Sequence, residues 1–288
     1  MTDRTLPWWL HLMMVGSALS QIYFGLTLII NPAASSHLWP WKLTPLDARL
    51  LGASSLVAVP LSLLAALANR WSTARIPSVM QLAYRVMQLV AGFIHINRFN
   101  FDRAITWNYF GGGAMMMVAF ASVLIFHNSL GKPVSSEPAW IHSGTPLTLS
   151  GIARNVIMVF AILYLALGCI FFVLGSDASP FWFEATGQLT PLTARLFASP
   201  TMGLVLALWL ITRARAWSDV LIPSVGMTTF GLSGLTALIL GRSAFAPPTL
   251  IGYFTAATPV LLFLIGLFLL SQGRRGQAPK PIPVMPSG

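Results

Sequence analysis

Eight apolar segments of about 20 residues each constrain the fold more than any other feature of this sequence. A segment of that length is what an α-helix needs to cross the hydrocarbon core of a bilayer. Only 8% of the residues are charged, whereas a soluble domain carries about 25%. We therefore predict an all-α, polytopic transmembrane helical bundle. Its spans are expected at 8–30, 46–67, 76–97, 105–127, 152–174, 191–212, 220–241 and 249–271.

Except for Arg85, the positively charged residues stand at the ends of these segments, and they form no contiguous patch. The net charge of +10 therefore does not indicate a nucleic-acid partner, and membrane lipids are the partners we expect. With the N-terminus inside, ten Lys and Arg residues fall on the inner side and six on the outer side. Cytoplasmic loops are enriched in Lys and Arg. The bias predicts a multi-pass protein of the cell membrane with both termini in the cytoplasm.

The two halves of the chain share a repeated sequence. Segment 43–50 reads Leu-Thr-Pro-Leu-Asp-Ala-Arg-Leu and recurs at 189–196 as Leu-Thr-Pro-Leu-Thr-Ala-Arg-Leu, a shift of 146 residues. Over 43–79 this shift gives 16 identities in 37 positions without a gap. We predict two tandem four-helix membrane repeats, 1–146 and 147–275, followed by a flexible, Pro-rich cytoplasmic tail at 276–288. Because each repeat has an even number of spans, the two are parallel in the membrane.

The repeated motif is typical of a helix start. Thr44 suits the N-cap, Pro45 suits the first helical position, and Asp47 can complete a capping box. By the same reasoning, Pro77 and Pro223 are expected to open the third helix of each repeat.

Two arginines of the motif, Arg49 and Arg195, fit a helix start less well. They fall in the first turns, where the helix dipole disfavours a cation by about 0.3–1 kcal/mol. We expect a compensating anion from Asp47, Glu184 or a lipid phosphate. One interpretation is a pair of interfacial arginines that reach the lipid headgroups. The other is an anion-binding pair on the outer face.

Aromatic residues precede both copies of the motif, as Trp39-Pro40-Trp41 and Phe181-Trp182-Phe183. Such residues are normally anchors at the membrane interface. A Trp-rich loop followed by Leu-Thr-Pro-Leu-x-Ala-Arg resembles uncharacterised multi-pass bacterial membrane proteins. The resemblance covers these short motifs or the repeat around them. It implies a membrane location and no known activity.

The third span carries a polar stripe. Its members share one helical face, with offsets of 0, 3, 4, 7 and 14 residues: Gln81, Tyr84, Arg85, Gln88 and His95. At the equivalent positions, the early turns of span seven have Met227, Phe230, Gly231 and Gly234. One half of the protein is therefore expected to have a polar seam that the other half lacks.

Arg85 is the most informative residue of this stripe, because it falls near the middle of the bilayer. A charge there costs at least ~2.5–3.5 kcal/mol, so its side chain should face the bundle or a wet cavity. None of the seven acidic residues falls in the middle of a span. Its candidate partners are water, backbone carbonyls, an anionic ligand, and the side chains of Gln21, Ser54, Ser55, Gln81, Tyr84 and Gln88. Either a polar network solvates Arg85 or Arg85 marks a ligand site.

Other chemistry has little support in the sequence. His11 and His127 fall near the inner ends of spans one and four, where they are placed to face each other. However, no histidine pair has the spacing of a zinc site, and Cys169 stands alone. We expect no metal and no cofactor, with a bis-histidine haem as the alternative. Gly111-Gly112-Gly113 should open the fourth span and allow close helix packing.

Three function classes remain open. The first is a binding or transport-like membrane protein with an inter-helix cavity for a small anionic or amphipathic ligand. Its candidate binding residues are Arg85, Gln81, Tyr84, Gln88, His95, Arg49 and Arg195. The second is a membrane-embedded enzyme acting on a lipid-type substrate. It would use Arg85 or His95 together with an outer cluster of Asp47, Arg49, Arg98 and Asp102, and no catalytic role is assigned to any one of them. The third is a structural subunit that docks a protein partner in the membrane.

Overall fold

The computed structural model describes residues 3–34, 39–41, 43–134, 138, 140–141, 145–181, 189–244 and 250–275. These ranges form eight long helices and, within them, no β-strand. Short 3₁₀ turns follow the first, third, fifth and seventh helices. The helices are α1 Trp8–Ile30, α2 Pro45–Ala68, α3 Trp71–Ile94, α4 Ala104–Leu130, α5 Gly151–Leu174, α6 Pro191–Ile211, α7 Trp217–Leu240 and α8 Leu250–Arg275. The predicted all-α polytopic bundle is thus confirmed, whereas the tail at 276–288 lies outside the described residues.

Seven of the eight helices are long and apolar enough to cross a membrane. The exception, α3, has 24 residues and is long enough, but its polar stripe lowers its mean hydropathy. Other helices of the protein cover much of α3, because it packs against α4, α6 and α7. A polar helix at this central position is shielded by its neighbours from hydrocarbon.

Each helix–helix contact in one half of the protein has a counterpart in the other half. α1 packs on α2 as α5 packs on α6, and α4 packs on α3 as α8 packs on α7. Across the halves, α2 packs on α7 as α6 packs on α3. A tandem duplication would produce this arrangement. The duplication itself and the boundaries at 146 and 275 stay predictions from the sequence.

The helix starts at the repeated motif are as expected. Thr44 Oγ1 accepts a hydrogen bond from the backbone N–H of Asp47 at 3.1 Å, and Thr190 Oγ1 accepts one from Thr193 at 3.2 Å. Each proline that follows the cap occupies the first helical position.

Three other predicted helix starts are wrong. α3 and α7 begin at Trp71 and Trp217, so Pro77 and Pro223 lie six residues inside them. A proline in this position leaves one i−4 carbonyl without its helical donor, and the rest of the helix continues. The glycines at 111–113 do not open the fourth span either. They follow two turns that begin at Ala104, and Gly111 and Gly112 belong to a π-helical segment, Asn108–Gly112.

Extended segments tie each half together at one end of the bundle. We call this end, which carries Arg4, the inner end, and the end that carries Trp39 the outer end, after the orientation predicted from the charges. The Arg4 carbonyl accepts a hydrogen bond from the backbone N–H of Trp71 at 2.8 Å, and the Thr145 carbonyl accepts one from Trp217 at 3.0 Å. Both halves thus hold the start of their third helix in the same way.

The apolar core has two parts. The larger cluster includes Leu10, Phe120 and Tyr164 and extends through the inner and central parts of the bundle. The smaller one includes Leu46, Phe99 and Leu192 at the outer end. The polar face of α3 lies beside the larger cluster.

Candidate binding cleft around Arg85

Arg85 lies within about 4 Å of the midpoint of α3 along the helix axis, at a rise of 1.5 Å per residue. Its side chain is buried, with a relative exposure of 6%. Nη1 donates to Gln88 Oε1 at 2.8 Å, and the guanidinium carbon lies 4.9 Å from the centre of the Tyr84 ring. Arg85 is therefore buried near the middle of its helix, and two of its expected partners are observed, whereas its depth in the bilayer stays a prediction.

The guanidinium of Arg85 is only partly satisfied. Its Nε is buried and has no hydrogen-bond partner among the described residues. None of the acidic residues in the described part of the chain forms an ion pair with it; the ion pair found there joins Arg70 to Asp3 at 2.8 Å. A buried charge without a counter-ion is costly, so this side chain has an unmet capacity to bind an anion.

Arg85 lines a cleft between α1 and α4, which are not closely packed together. We call this space of about 390 Å³ the α1–α4 cleft. Its polar lining comes from three helices: Ser17, Ser20 and Gln21 of α1, Arg85 of α3 and Asn108 of α4. The Ser17 hydroxyl is buried and has no hydrogen-bond partner among the described residues. Several hydrogen-bonding groups therefore converge on a space inside an otherwise apolar bundle.

The α4 wall of the cleft has an irregular backbone. The π-helical segment Asn108–Gly112 begins at a cleft residue, Asn108, and ends at another, Gly112. Such π-bulges insert an extra residue into an α-helix and occur frequently at functional sites.

The rest of the polar stripe does not line the cleft. Gln81 is buried and accepts a hydrogen bond from Ser62 Oγ at 3.2 Å. The backbone carbonyl of Gln88 accepts one from the Tyr109 hydroxyl at 2.7 Å. These bonds fix α3 against α2 and α4, so Gln81 and Gln88 position the helix that carries Arg85. Tyr84 is half-buried beside Arg85.

The counterparts of Arg85 and Gln88 in the second half are closely packed. Gly231, the counterpart of Arg85, approaches α8 so closely that an added Cβ would lie 2.4 Å from Phe263 Cβ. Gly234, the counterpart of Gln88, packs on Pro259. A smaller cavity of about 100 Å³ lies nearby, lined by apolar residues and hydroxyl groups. The predicted contrast between a polar and a small, apolar seam is thus visible in the packing.

Arg49 and Arg195 have the same role in the two halves. Arg49 Nε donates to the Ile29 carbonyl at 3.3 Å, and Arg195 Nε donates to the Phe172 carbonyl at 2.9 Å. These carbonyls belong to the last turns of α1 and α5, where helices carry partial negative charge. Each guanidinium thus binds a helix C-terminus, and a further anionic partner from Asp47, Glu184 or a lipid phosphate stays a prediction. Glu184 lies outside the described residues.

His95 lies next to Arg195 at the outer end, one residue beyond α3. Arg195 Nη1 is 2.5 Å from His95 Nε2, and a guanidinium can only donate, so the imidazole accepts in its neutral form. Desolvation and the nearby charges of Arg195 and Arg98 lower the pKa of His95 below its usual value of 6.5. His95 therefore joins the two halves and lies apart from the cleft.

Two other histidines contact groups at the inner end of the bundle. His127 stacks on Trp71 with ring centroids 5.0 Å apart, and His11 Nδ1 lies 3.1 Å from the Pro7 carbonyl. A pair formed by His11 and His127 stays a prediction from the sequence. No group of three metal-ligating side chains occurs in the described part of the chain. His37 and His142 lie outside it.

No protein-family model matches this chain. No curated protein or solved structure matches it either. The resemblance to multi-pass bacterial membrane proteins therefore stays a prediction from the sequence, and the candidate site rests on its geometry.

Sequence reasoning named Gln21 of the α1 wall as a candidate partner of Arg85 but missed Ser17 and Ser20. Ser17, Ser20 and Gln21 follow the i, i+3, i+4 spacing of one helical face, and this spacing is a detectable signal in an otherwise apolar span. Asn108 could not have been found in this way, because its orientation depends on the π-helical segment. Of the predicted binding residues, the fold brings Arg85 and Tyr84 together near the cleft and places Arg49, Arg195 and His95 at the outer end.

Proposed function

We propose that this protein is a binding or transport-type integral membrane protein, and that its ligand is a small anion or the anionic head of an amphipathic molecule. The site is the α1–α4 cleft. One observation carries the proposal: Arg85 is buried near the middle of its helix, lines a cleft, and has an Nε without a partner among the described residues. A membrane interior disfavours such a charge unless something compensates it.

The chemistry of the cleft supports an anion over a cation or a neutral molecule. Ser17, Ser20, Gln21 and Asn108 supply hydroxyl and amide donors around the guanidinium. Among the described residues, no carboxylate lines the cleft. The site is thus rich in donors and carries one positive charge, which is the complement of a single oxyanion.

The proposal is tested by thermal unfolding of the protein in phosphatidylcholine nanodiscs with dodecanoate or with dodecanol. These probes share one hydrocarbon chain, and only dodecanoate carries a charge. We expect dodecanoate to raise the unfolding midpoint of the wild type more than dodecanol does. Arg85→Leu should abolish the difference. Arg85→Lys should reduce it, because an ammonium keeps the charge but loses the planar fork that binds an oxyanion with two bonds.

The control is Arg154→Leu, which removes the same charge from an exposed position at the start of α5. It should respond to dodecanoate as the wild type does. An equal loss of response in Arg154→Leu and Arg85→Leu would show that net charge, and not the cleft, is responsible. A response that Arg85→Leu leaves unchanged would refute the proposal.

A further inference from the structure

Resting on the proposed function, we infer that the ligand is a membrane-borne amphipath that enters the α1–α4 cleft sideways from the lipid, and not a water-soluble anion. Its oxyanion head, a carboxylate or a phosphate, binds Arg85, and its hydrocarbon chain stays between α1 and α4. Three features of the cleft lead to this inference: a closed outer end, a closed inner end and an open flank.

The outer end is closed by a cluster that we call the aromatic roof, formed by Phe24, Trp39, Trp41, Phe99 and Tyr109. Trp39 contacts Phe24 of α1 at 6.5 Å between ring centroids and Trp41 at 5.2 Å. Trp41 in turn contacts Tyr109 of α4 at 6.0 Å. Edge-to-face contacts therefore connect α1 to α4 on the outer side of Gln21. They place aromatic rings across the path that a hydrated anion would take from the outer end into the cleft.

Tyr109 also fixes the roof to the helix that carries Arg85. It is 6% exposed, and its hydroxyl donates to the Gln88 carbonyl, one turn outside Arg85. The roof is further held by Arg103 Nη1, which donates to the Trp39 carbonyl at 2.9 Å, and by Trp41 Nε1, which donates to Thr193 Oγ1 at 3.2 Å.

The inner end is closed by the N-terminal segment and by core side chains. Thr5 N–H donates to the Lys132 carbonyl at 2.8 Å, and Arg4 Nη1 donates to the Gly131 carbonyl at 2.7 Å. The start of α1 is thereby tied to the chain that follows α4. On the inner side of the cleft, Leu10 of α1 and Phe120 of α4 are both fully buried in the apolar core.

The flank of the cleft is open. Leu12 and Met115, on opposite walls, have exposed fractions of 64% and 56%, and both line the cleft. Gly16, one turn along α1 from Leu12, also lines the cleft, and a Cβ added to it would meet no atom within 4 Å. Both walls face the side of the bundle, where α1 and α4 are exposed to hydrocarbon. A ligand that is already dissolved in the bilayer therefore reaches Arg85 without crossing the roof or the N-terminal segment.

The guanidinium geometry agrees with a headgroup that lies along one edge. Gln88 occupies Nη1, which leaves the edge that includes Nε without a partner among the described residues. Nε itself is buried, so a rotation of the side chain that turns this edge toward the cleft would let an oxyanion accept two parallel hydrogen bonds. The Ser17 hydroxyl, also unpaired in this part of the chain, offers a further donor from the opposite wall.

The test compares a membrane-borne oxyanion with free ones, and an open mouth with a blocked one. Dodecanoate, acetate and inorganic phosphate are titrated into the wild type in phosphatidylcholine nanodiscs, with the unfolding midpoint as the readout. Gly16→Trp places an indole in the mouth and leaves Arg85 and the roof unchanged. Leu19→Trp, one turn further along α1 at a position that is 64% exposed and does not line the cleft, is the matched control.

We expect dodecanoate to stabilise the wild type and Leu19→Trp, and acetate and phosphate to have no effect that depends on Arg85. Gly16→Trp should bind dodecanoate at least about tenfold more weakly, the equivalent of roughly 1.4 kcal/mol. Met115→Trp, which narrows the mouth from the opposite wall, should have the same effect, so a folding defect of either variant alone leaves the test intact.

Two results would overturn the inference, and they differ in what they say of the proposed function. Stabilisation by acetate or phosphate that requires Arg85 and persists in Gly16→Trp would show entry from water, and the anion site would stand. If no probe gives a response that depends on Arg85, both the lateral entry and the anion site would be rejected.

Discussion

Three arginines that the sequence places in helices are stabilised in two different ways. Arg49 and Arg195 bind backbone carbonyls at the C-termini of neighbouring helices, where the helix dipole supplies partial negative charge. Arg85 lies in mid-helix and relies on Gln88, the Tyr84 ring and the cleft. The bonds to the backbone give Arg49 and Arg195 a structural role. The anion-binding pair on the outer face stays a prediction from the sequence.

His95 predicts a dependence of stability on pH. Its lowered pKa in the folded state means that the unfolded chain binds a proton more readily. Its contribution to stability is therefore complete above the unfolded pKa of about 6.5 and is lost as the pH falls below that value. We expect the unfolding midpoint of the wild type to decrease between neutral pH and pH 5.

The variant His95→Gln separates titration from packing. Its amide oxygen can still accept a hydrogen bond from Arg195, but it does not bind a proton in this range. The pH dependence should be weaker in His95→Gln than in the wild type. Identical slopes for the two proteins, measured by thermal unfolding in a neutral detergent, would exclude His95 as the origin.

At the scale of the helix, α3 and α7 show how one repeated sequence supports two kinds of packing. α3 keeps polar side chains and leaves a cleft beside α4. α7 has apolar residues or glycines at the equivalent positions and packs directly on α8 through Gly231 and Gly234. Small residues allow helix backbones to approach each other closely in lipid. The loss of the polar stripe and the close α7–α8 contact are therefore two aspects of the same difference.

The close contact predicts opposite effects for two glycine substitutions. Gly231→Ala would bring a Cβ to 2.4 Å from Phe263 Cβ, so we expect a loss of about 1–3 kcal/mol of stability from overpacking. Gly16→Ala meets no atom within 4 Å and should be neutral or stabilising by up to about 1 kcal/mol, because alanine favours the helix. Thermal or denaturant unfolding in one detergent compares them, and equal destabilisation would contradict the packing described.

The two N-caps predict a similar loss of stability when either threonine is replaced by alanine. Thr44→Ala and Thr190→Ala each remove one hydrogen bond to a helix N-terminus, so each should lower the free energy of unfolding by about 0.5–2 kcal/mol. Replacing Thr44 or Thr190 by Ser retains the hydroxyl and should recover most of the loss, as measured by denaturant unfolding. An equally large loss in the serine variants would assign the effect to the methyl group and not to the cap.

For the whole molecule, the prediction is that both halves enter the membrane in the same sense. Cys169 is the single cysteine, so Cys169→Ser gives a background for new labelling sites. Asn100→Cys and Ser243→Cys lie at exposed positions after α3 and α7, and Ser129→Cys lies at the exposed end of α4. A membrane-impermeant maleimide applied to intact cells should label the first two and spare the third. Labelling of Asn100→Cys and Ser243→Cys from opposite sides would exclude parallel repeats.

The sequence alone determined the fold class, the number of helices and the burial of Arg85. Each follows from a local or one-dimensional quantity: the length of an apolar segment, the 3.6-residue period of α3, and the cost of a charge in hydrocarbon. The N-caps at Thr44 and Thr190 were equally predictable, because a cap involves only residues three positions apart. The starts of α3 and α7 were harder to predict from the sequence. A proline such as Pro77 or Pro223 suits a first turn but is also accommodated inside a membrane helix.

Tertiary structure alone decided which helices meet and where they leave space. The α1–α4 cleft exists because α1 packs on α2 and α4 packs on α3, and no short-range pattern specifies that arrangement. The partners of Arg49 and Arg195 were hidden for the same reason, since their carbonyls lie 20 and 23 residues away in the chain. A helical period fixes the direction of a side chain on its own helix, but only the packing of helices determines what that side chain meets.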